Sequence, residues 1–333
     1  MIMKKKFNIL IDRLSEKDAV LEKKLFGNNF NIKALQTKDL LNVKRTILNK
    51  VDGILAWHEV NYSKEILSLL PNCKIIVRVG VGFDNVDLKY AKKMGITICN
   101  IPDYGVNDVA DHAMTLLLYL NKKIAQYTEN LRDNDIWSWG NLNKIKRNKG
   151  LKLGILGFGR IGSATALRAK SFGMDVIFYD PYLPIGIEKS HNVKRSHDLD
   201  NFLSNLDALS IHTPLNKETN QLVDAKFLKK LKKGSVIINT SRGGIVNTKD
   251  IYTAIKKNHI DGFGTDVFET EPPEKNNELF KAWQKKEVWI KDKVIITPHY
   301  APFNKDSYIE LRSKSVLEVK NFLMKNITLN KII

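Results

Sequence analysis

Arg242, Glu271 and His299 are the side chains of this 333-residue chain best suited to acid–base chemistry on a small anion, and each follows an apolar run. Arg242 lies in IINTSRGGIV, Glu271 in GTDVFETEPP beside Asp266 and Glu269, and His299 at the end of VIITPH. A guanidinium grips a carboxylate through two parallel hydrogen bonds. That suits a 2-oxo acid, whose carboxylate and carbonyl oxygens are neighbours. Reduction of such a carbonyl needs a proton for the developing alkoxide, and imidazole titrates near neutral pH. A nearby carboxylate would orient the ring and favour its charged form. Taken singly, each residue also has a structural explanation: an ion pair for Arg242, a strand-end ring for His299, a common Glu-Pro turn for Glu271. Spacing alone does not show that the three converge.

The segment LKLGILGFGRIGSATALRAKSFGMDVIFYD (151–180) carries a second chemistry. An apolar strand runs into Gly157-Phe158-Gly159-Arg160-Ile161-Gly162, a helix opens near Arg160, and a second strand ends in Asp180. Gly157 permits the tight turn, Gly159 lets a pyrophosphate approach the backbone, and Gly162 lets helix and sheet pack closely. The helix N-terminus offers unpaired N–H groups and a positive dipole to phosphates. Asp180 stands near the spacing, about 20 residues, of the acid that binds ribose hydroxyls. A carboxylate there repels a 2′-phosphate, and Pro181-Tyr182-Leu183 supply no cation, so NAD (NADH) is preferred to NADP. Glycine-rich turns occur by chance, but this one sits inside a strand–helix–strand unit.

These residues need strands to carry them. Short apolar runs alternate with amphipathic stretches, the pattern of parallel sheets in an α/β fold. Strands are expected over 7–12, 53–57, 74–79 and 96–101, then over 151–157, 175–180, 208–213, 235–240, 261–268 and 294–299. They fall into two doubly wound sheets, one small and one of about six strands. Tyr104 to Lys123, with Val109, Ala113, Leu116, Leu117 and Leu120 at helical spacing, reads as a crossover helix between domains. A last helix, roughly Ser307 to Met324, returns the chain to the first. The expected boundaries are 1–103 with 302–333 for a substrate domain, and 104–301 for a dinucleotide-binding domain.

Composition excludes several classes. With 43% apolar and 27% charged residues, the chain is an ordinary folded protein rather than a disordered one. Two cysteines, Cys73 and Cys99, form neither a disulfide framework nor a metal motif, so no metal is expected and the compartment reads as reducing, hence cytoplasmic. The start, MIMKKKFNILID, has too short an apolar run for a secretory signal, and no stretch suits a membrane span. The net charge of +18 comes from scattered lysines without interleaved aromatics. It reads as a solvated surface that attracts anionic ligands rather than a nucleic-acid site.

RVGVGFDNVD (78–87), NDVADHA (107–113), GFGRIG (157–162), NTSRGGIVN (239–247), DVFETEP (266–272) and TPHYA (297–301) together resemble the D-isomer-specific 2-hydroxyacid dehydrogenase family, in the family's order and over most of the chain. IIVRVGVGFDNVD, CNIP and ALRAKSFGMDVIFYDPYL are most similar to the branch with the C-terminal-binding-protein corepressors; phosphoglycerate dehydrogenases are more distant. The resemblance implies a Rossmann NAD-binding domain inserted in a flavodoxin-like substrate domain. It implies hydride transfer between nicotinamide and C2 of a small D-2-hydroxy or 2-oxo acid. Arg242 would anchor the substrate, His299 would be the acid/base and Glu271 its partner. Val79, Gly80 and Val81 would touch substrate through backbone N–H groups. Arg160 and Ile161 would meet pyrophosphate, and Asp180 the adenine ribose. Thr213, Pro214 and Thr219 would line the adenosine side. Thr240 and Asp266 would lie near nicotinamide, Asp266 at its carboxamide, and Asn107, Ser241, Arg242 and His299 would also contact cofactor. A homodimer through the region Asp111 to Leu142 is implied, and His112, Trp137 and Trp139 read as packing or interface residues.

Two departures matter. The segment 273–293 is long and reads as an extra helical excursion bordering the site. The corepressor branch commonly has Trp where this chain has Pro302, so substrate identity is not inherited. An NAD-sensing scaffold is the competing reading; a complete Arg242, Glu271 and His299 set argues against it, because a scaffold needs no proton donor.

Overall fold

The computed structural model describes residues 6–138 and 146–333. It divides into two units, residues 1–105 with 303–333, and Val106–Pro302.

The smaller unit holds five parallel strands: β1 (Phe7–Ile11), β2 (Phe30–Ala34), β3 (Gly53–Ala56), β4 (Ile75–Arg78) and β5 (Thr97–Asn100), in the order β2-β1-β3-β4-β5. This is the flavodoxin-like order, which reverses direction between β1 and β3. All four residues of β3 and of β4 are buried, as strands covered on both faces require. The C-terminal helix Lys305–Lys325 packs Leu311, Val316 and Val319 into this unit's core, and an Asn304 capping box starts it.

The larger unit holds seven parallel strands: β6 (Lys152–Leu156), β7 (Asp175–Tyr179), β8 (Lys194–Ser196), β9 (Ala208–Ile211), β10 (Ser235–Asn239), β11 (Ile260–Thr265) and β12 (Val294–Ile296). Their order is β12-β11-β10-β9-β6-β7-β8. Winding runs one way from β6 to β8 and the other way from β9 onward, the doubly wound Rossmann arrangement. Its switch point lies between β6 and β9, and ligands bind outside the carboxyl ends of strands at such a point.

Two strands escape a reading of apolar runs. β2 and β8 are edge strands. In β2 the polar Asn31 is exposed and Lys33 lies between two better-buried neighbours; β8 has three residues, Lys-Arg-Ser. The expected crossover helix occupies Val106–Asn121. It then breaks at Lys123, which takes a left-handed conformation (φ 53°), and a second helix follows over Ile124–Asn134. Among the described residues no helix is long and apolar enough to cross a membrane.

Candidate active site

The glycine turn closes the end of β6. Gly157 has φ 87°, and a Cβ there would lie 2.8 Å from the Thr213 amide nitrogen, so the turn presses against the chain leaving β9. The Gly162 helix position is tighter still: a Cβ would stand 2.2 Å from the Gly157 carbonyl oxygen. At Gly159 nothing lies within 4 Å of the Cβ position. Gly159 is also the N-cap of the helix Arg160–Ser171, and no side chain caps it. The result is a helix N-terminus that opens onto space rather than onto a capping group.

Asp180 is held at the end of β7 by two backbone donors: Phe158 N–H reaches Oδ2 at 2.9 Å and Tyr182 N–H reaches Oδ1 at 3.0 Å. Arg195, from β8, donates to the carbonyls of Asp180, Leu183 and Pro184 and shapes the loop after it. Asn107 accepts from Arg168 Nη2 at 3.2 Å, which ties the start of the helix Val106–Asn121 to the glycine-motif helix. The Thr219 hydroxyl donates to Pro214 O at 2.6 Å and accepts from Asn216 N–H, so it braces its own loop.

Whether these residues suit a dinucleotide can be read from polar atoms that the fold leaves unmatched. Among the described residues the hydroxyls of Thr213 and Thr240 are buried and have no protein hydrogen-bond partner. A buried unmatched hydroxyl is costly unless a ligand or water meets it. Both sit just past the carboxyl ends of adjacent strands, β9 and β10. Together with the open Gly159 position and the uncapped helix, they fit NAD. His212, next to Thr213, is pushed down to about 3 by burial, so its ring is neutral there; its Nε2 lies 2.8 Å from Ser210 Oγ.

The catalytic candidates all lie in the larger unit, and two of them, His299 and Glu271, are in direct contact. Arg242 follows β10 in a turn clamped by Asn239. The Asn239 amide oxygen accepts from both the N–H and the hydroxyl of Ser241, and its Nδ2 donates to Arg242 O. Arg242 Nη1 donates to Ser241 O at 2.8 Å. The next residue, Gly243, lies so close to the chain after β11 that a Cβ would stand 1.8 Å from the Phe268 carbonyl carbon. Only glycine allows that approach, and it brings the Arg242 turn beside the segment leading to Glu271. Glu271 Oε1 accepts from Phe268 N–H at 3.0 Å, and Oε2 lies 2.5 Å from His299 Nδ1. The pair is partly exposed, 27% for each side chain.

His299 has φ 52°, a left-handed conformation that costs a non-glycine residue on the order of 1–2 kcal/mol. The loop 297–301 is held in place by Asp266, which is 1% exposed. Its carbonyl accepts from His299 N–H (2.7 Å), Oδ1 accepts from Thr297 Oγ1 (2.5 Å) and Tyr300 N–H (3.1 Å), and Oδ2 accepts from Ala301 N–H (2.9 Å). Asp266 is thus first the organiser of the histidine loop. Glu269 accepts from Thr248 N–H, at the start of the helix Thr248–Lys256. Asn239 and Thr297 carry much of this framework; both open motifs that carry the resemblance, but the sequence shows a bracing role for neither.

The 273–293 segment is less of an excursion than its length suggests. Its helix, Glu278–Gln284, buries Leu279 and Ala282, Ile290 joins the same core, and Trp289 meets Tyr252 edge-on. Phe280 lies 5.8 Å, ring to ring, from Phe268, which borders the Glu271 turn. In the smaller unit, Val79 N–H and Gly80 N–H donate to Ala56 O and Arg78 O. Trp137 is 86% exposed, whereas Trp139 and Leu142 lie outside the described residues. Both cysteines are buried and their thiols are raised, Cys73 to about 12, which removes thiolate chemistry near neutral pH. Among the described residues no group of His, Cys, Asp and Glu suits a metal ion.

Residues 114–301 match the family model "D-isomer specific 2-hydroxyacid dehydrogenase, NAD binding domain". The chain is 30% identical over 325 residues to C-terminal-binding protein 1 of Caenorhabditis elegans, covering 93% of this chain and 42% of that protein. It is 33% identical over 264 residues to D-3-phosphoglycerate dehydrogenase of Methanocaldococcus jannaschii, covering 77% and 47%. The chain therefore spans less than half the length of these two relatives. D-lactate dehydrogenase from Aquifex aeolicus, crystallised with NAD and lactic acid, superposes with a TM-score of 0.85 at 30% identity, over 98% of this chain and 99% of that one. With the glycine turn, the unmatched threonines and the His299–Glu271 pair in one Rossmann unit, these matches establish that the chain belongs to the D-isomer specific 2-hydroxyacid dehydrogenase family and that its larger unit is the family's NAD-binding domain.

Proposed function

We propose that this protein interconverts a small D-2-hydroxy acid and its 2-oxo acid, with His299 as acid/base and Arg242 as carboxylate anchor. The observation that carries this reading is the 2.5 Å contact between His299 Nδ1 and Glu271 Oε2, with Gly243 setting the Arg242 turn against Phe268, three residues before Glu271. Bound NAD supplies the hydride or accepts it. The Glu271 contact fixes the ring, so that Nε2 is the nitrogen that trades a proton with the substrate oxygen. In reduction, the C2 carbonyl carbon gains the hydride and its oxygen gains the His299 proton; oxidation runs the reverse. Arg242 holds the carboxylate by a charge-assisted pair. Of the Val79–Val81 loop, the Val79 and Gly80 N–H groups are already donated to Ala56 O and Arg78 O, which weighs against a substrate role for those two.

Thr213, Thr240 and the N–H groups of Arg160 and Ile161 would hold the cofactor, with Asp180 at its ribose. The exposed apolar side chains Ile124, Leu131, Ile136 and Trp137 support a homodimer, readable by light scattering.

The test is NADH oxidation against glyoxylate, pyruvate, hydroxypyruvate and longer 2-oxo acids. His299→Gln should lower kcat by ~10²-fold or more while NADH still binds. Arg242→Ala should raise KM and lower kcat/KM by at least ~10-fold. Wild-type turnover in His299→Gln would overturn the assignment.

A further inference from the structure

His112 is hydrogen-bonded to the histidine loop through the Thr297 hydroxyl. It stands on the helix Val106–Asn121, its side chain 12% exposed, with Nε2 at 3.0 Å from Thr297 Oγ1. A threonine hydroxyl has one proton, and here the 2.5 Å bond to Asp266 Oδ1 uses it. Thr297 Oγ1 must therefore accept from His112, which places a proton on Nε2. Burial holds the His112 pKa below the usual histidine value, against the opposing pull of Asp266, so a neutral ring with its proton on Nε2 satisfies the cluster. The ring also meets Tyr300 edge-on at 5.2 Å.

We propose that His112 is a positioning residue: its Nε2–H, through Thr297 and Asp266, holds the 297–301 loop in the left-handed turn that aims His299. The relay runs from His112 to the Thr297 hydroxyl and on to the Asp266 carboxylate. That carboxylate fixes Tyr300 and Ala301, and the Asp266 carbonyl fixes His299 itself. Displacing a reacting group by as little as 1 Å can cost ~10²-fold in rate. The inference rests on His299 being the acid/base, but its failure can be told apart from the failure of that reading.

Three variants of the full chain test it: His112→Phe keeps the ring and loses the donor, His112→Gln restores an amide donor at a similar reach, and Thr297→Val removes the hydroxyl at nearly constant shape. With the 2-oxo acid of highest kcat/KM, His112→Phe and Thr297→Val should each lower kcat by at least ~10-fold, with NADH affinity changed less than ~3-fold and most of kcat restored in His112→Gln. Wild-type kcat in His112→Phe, or His112→Gln as impaired as His112→Phe, would overturn the inference. If either His112→Phe or Thr297→Val does not fold, the other carries the kinetic test. A readout independent of turnover is the nitrogen NMR spectrum of histidine-labelled protein. His112 should carry its proton on Nε2, and Thr297→Val should shift that signal. A proton on Nδ1, or no shift in Thr297→Val, would end the proposal. Full activity in His299→Gln would instead defeat the acid/base reading and leave the tautomer result standing.

Discussion

Gly162 faces the carbonyl oxygen of Gly157 so closely that a Cβ at Gly162 would lie 2.2 Å from it. The obstacle is backbone, which cannot swing aside as a side chain can. Three residues earlier, Gly159 has no atom within 4 Å of its Cβ position. The two glycines therefore serve different ends, one for packing and one for ligand approach. Gly162→Ala should destabilise the fold by about 1–3 kcal/mol, the usual cost of overpacking, seen as a lower Tm. Gly159→Ala should melt within about 0.5 kcal/mol of wild type yet bind NADH at least ~10-fold more weakly, read by NADH fluorescence. Unchanged NADH affinity in Gly159→Ala would remove the phosphate-approach role.

Glu271 touches both ends of the histidine device: Oε1 accepts from Phe268 N–H and Oε2 meets His299 Nδ1. Glu271→Gln keeps the shape, removes the charge, and places an amide where a carboxylate accepted. We expect kcat to fall by roughly 10- to 10²-fold, as for loss of an orienting carboxylate behind a histidine, with NADH affinity preserved. Equal losses in kcat and NADH binding would show that the residue supports the cofactor region instead.

Asp12 gives a pH signature of folding. It is 1% exposed at the end of β1, accepts from Trp57 N–H through both oxygens and from the Tyr62 hydroxyl, and burial lifts its pKa from 3.8 to about 6. Those hydrogen bonds and Arg78 pull the other way, without cancelling the burial. The folded state thus holds this proton more tightly than the unfolded chain. Its stabilising contribution is full below pH 3.8 and is lost as pH rises through about 6. By the rule of about 1.4 kcal/mol per pKa unit, the stability difference between wild type and Asp12→Asn should move by roughly 2 kcal/mol toward wild type from pH 8 to pH 4. His212 acts oppositely: its folded pKa of about 3 against 6.5 means stability lost as pH falls through that window. Taking the difference between the two proteins cancels it. Urea midpoints measured across this range should show the slope; a difference flat with pH would mean that Asp12 does not titrate on folding.

Much of the larger unit was legible as sequence because its signals are local. The turn Gly157 to Gly162, the fully buried run of β10 and the acid after β7 all lie within short segments whose spacing has a physical meaning. β2 and β8 were not legible, since an edge strand alternates exposed polar residues and carries no continuous apolar run. The break at Lys123 was equally hidden, because a left-handed lysine looks like any other lysine in a helical pattern.

What the residues determined unaided was chemical capacity: a guanidinium, an imidazole and a carboxylate, each after an apolar strand, and a phosphate-accepting turn. What tertiary structure decided was the pairing of His299 with Glu271 and the placing of the Arg242 turn beside the chain that leads to Glu271. The approach of Gly243 to Phe268, the left-handed turn at His299 and the relay from His112 to Asp266 join residues far apart in the chain. Such contacts arise only when parallel strands stack side by side and their carboxyl ends are brought to one edge, a consequence of sheet order that no local spacing encodes.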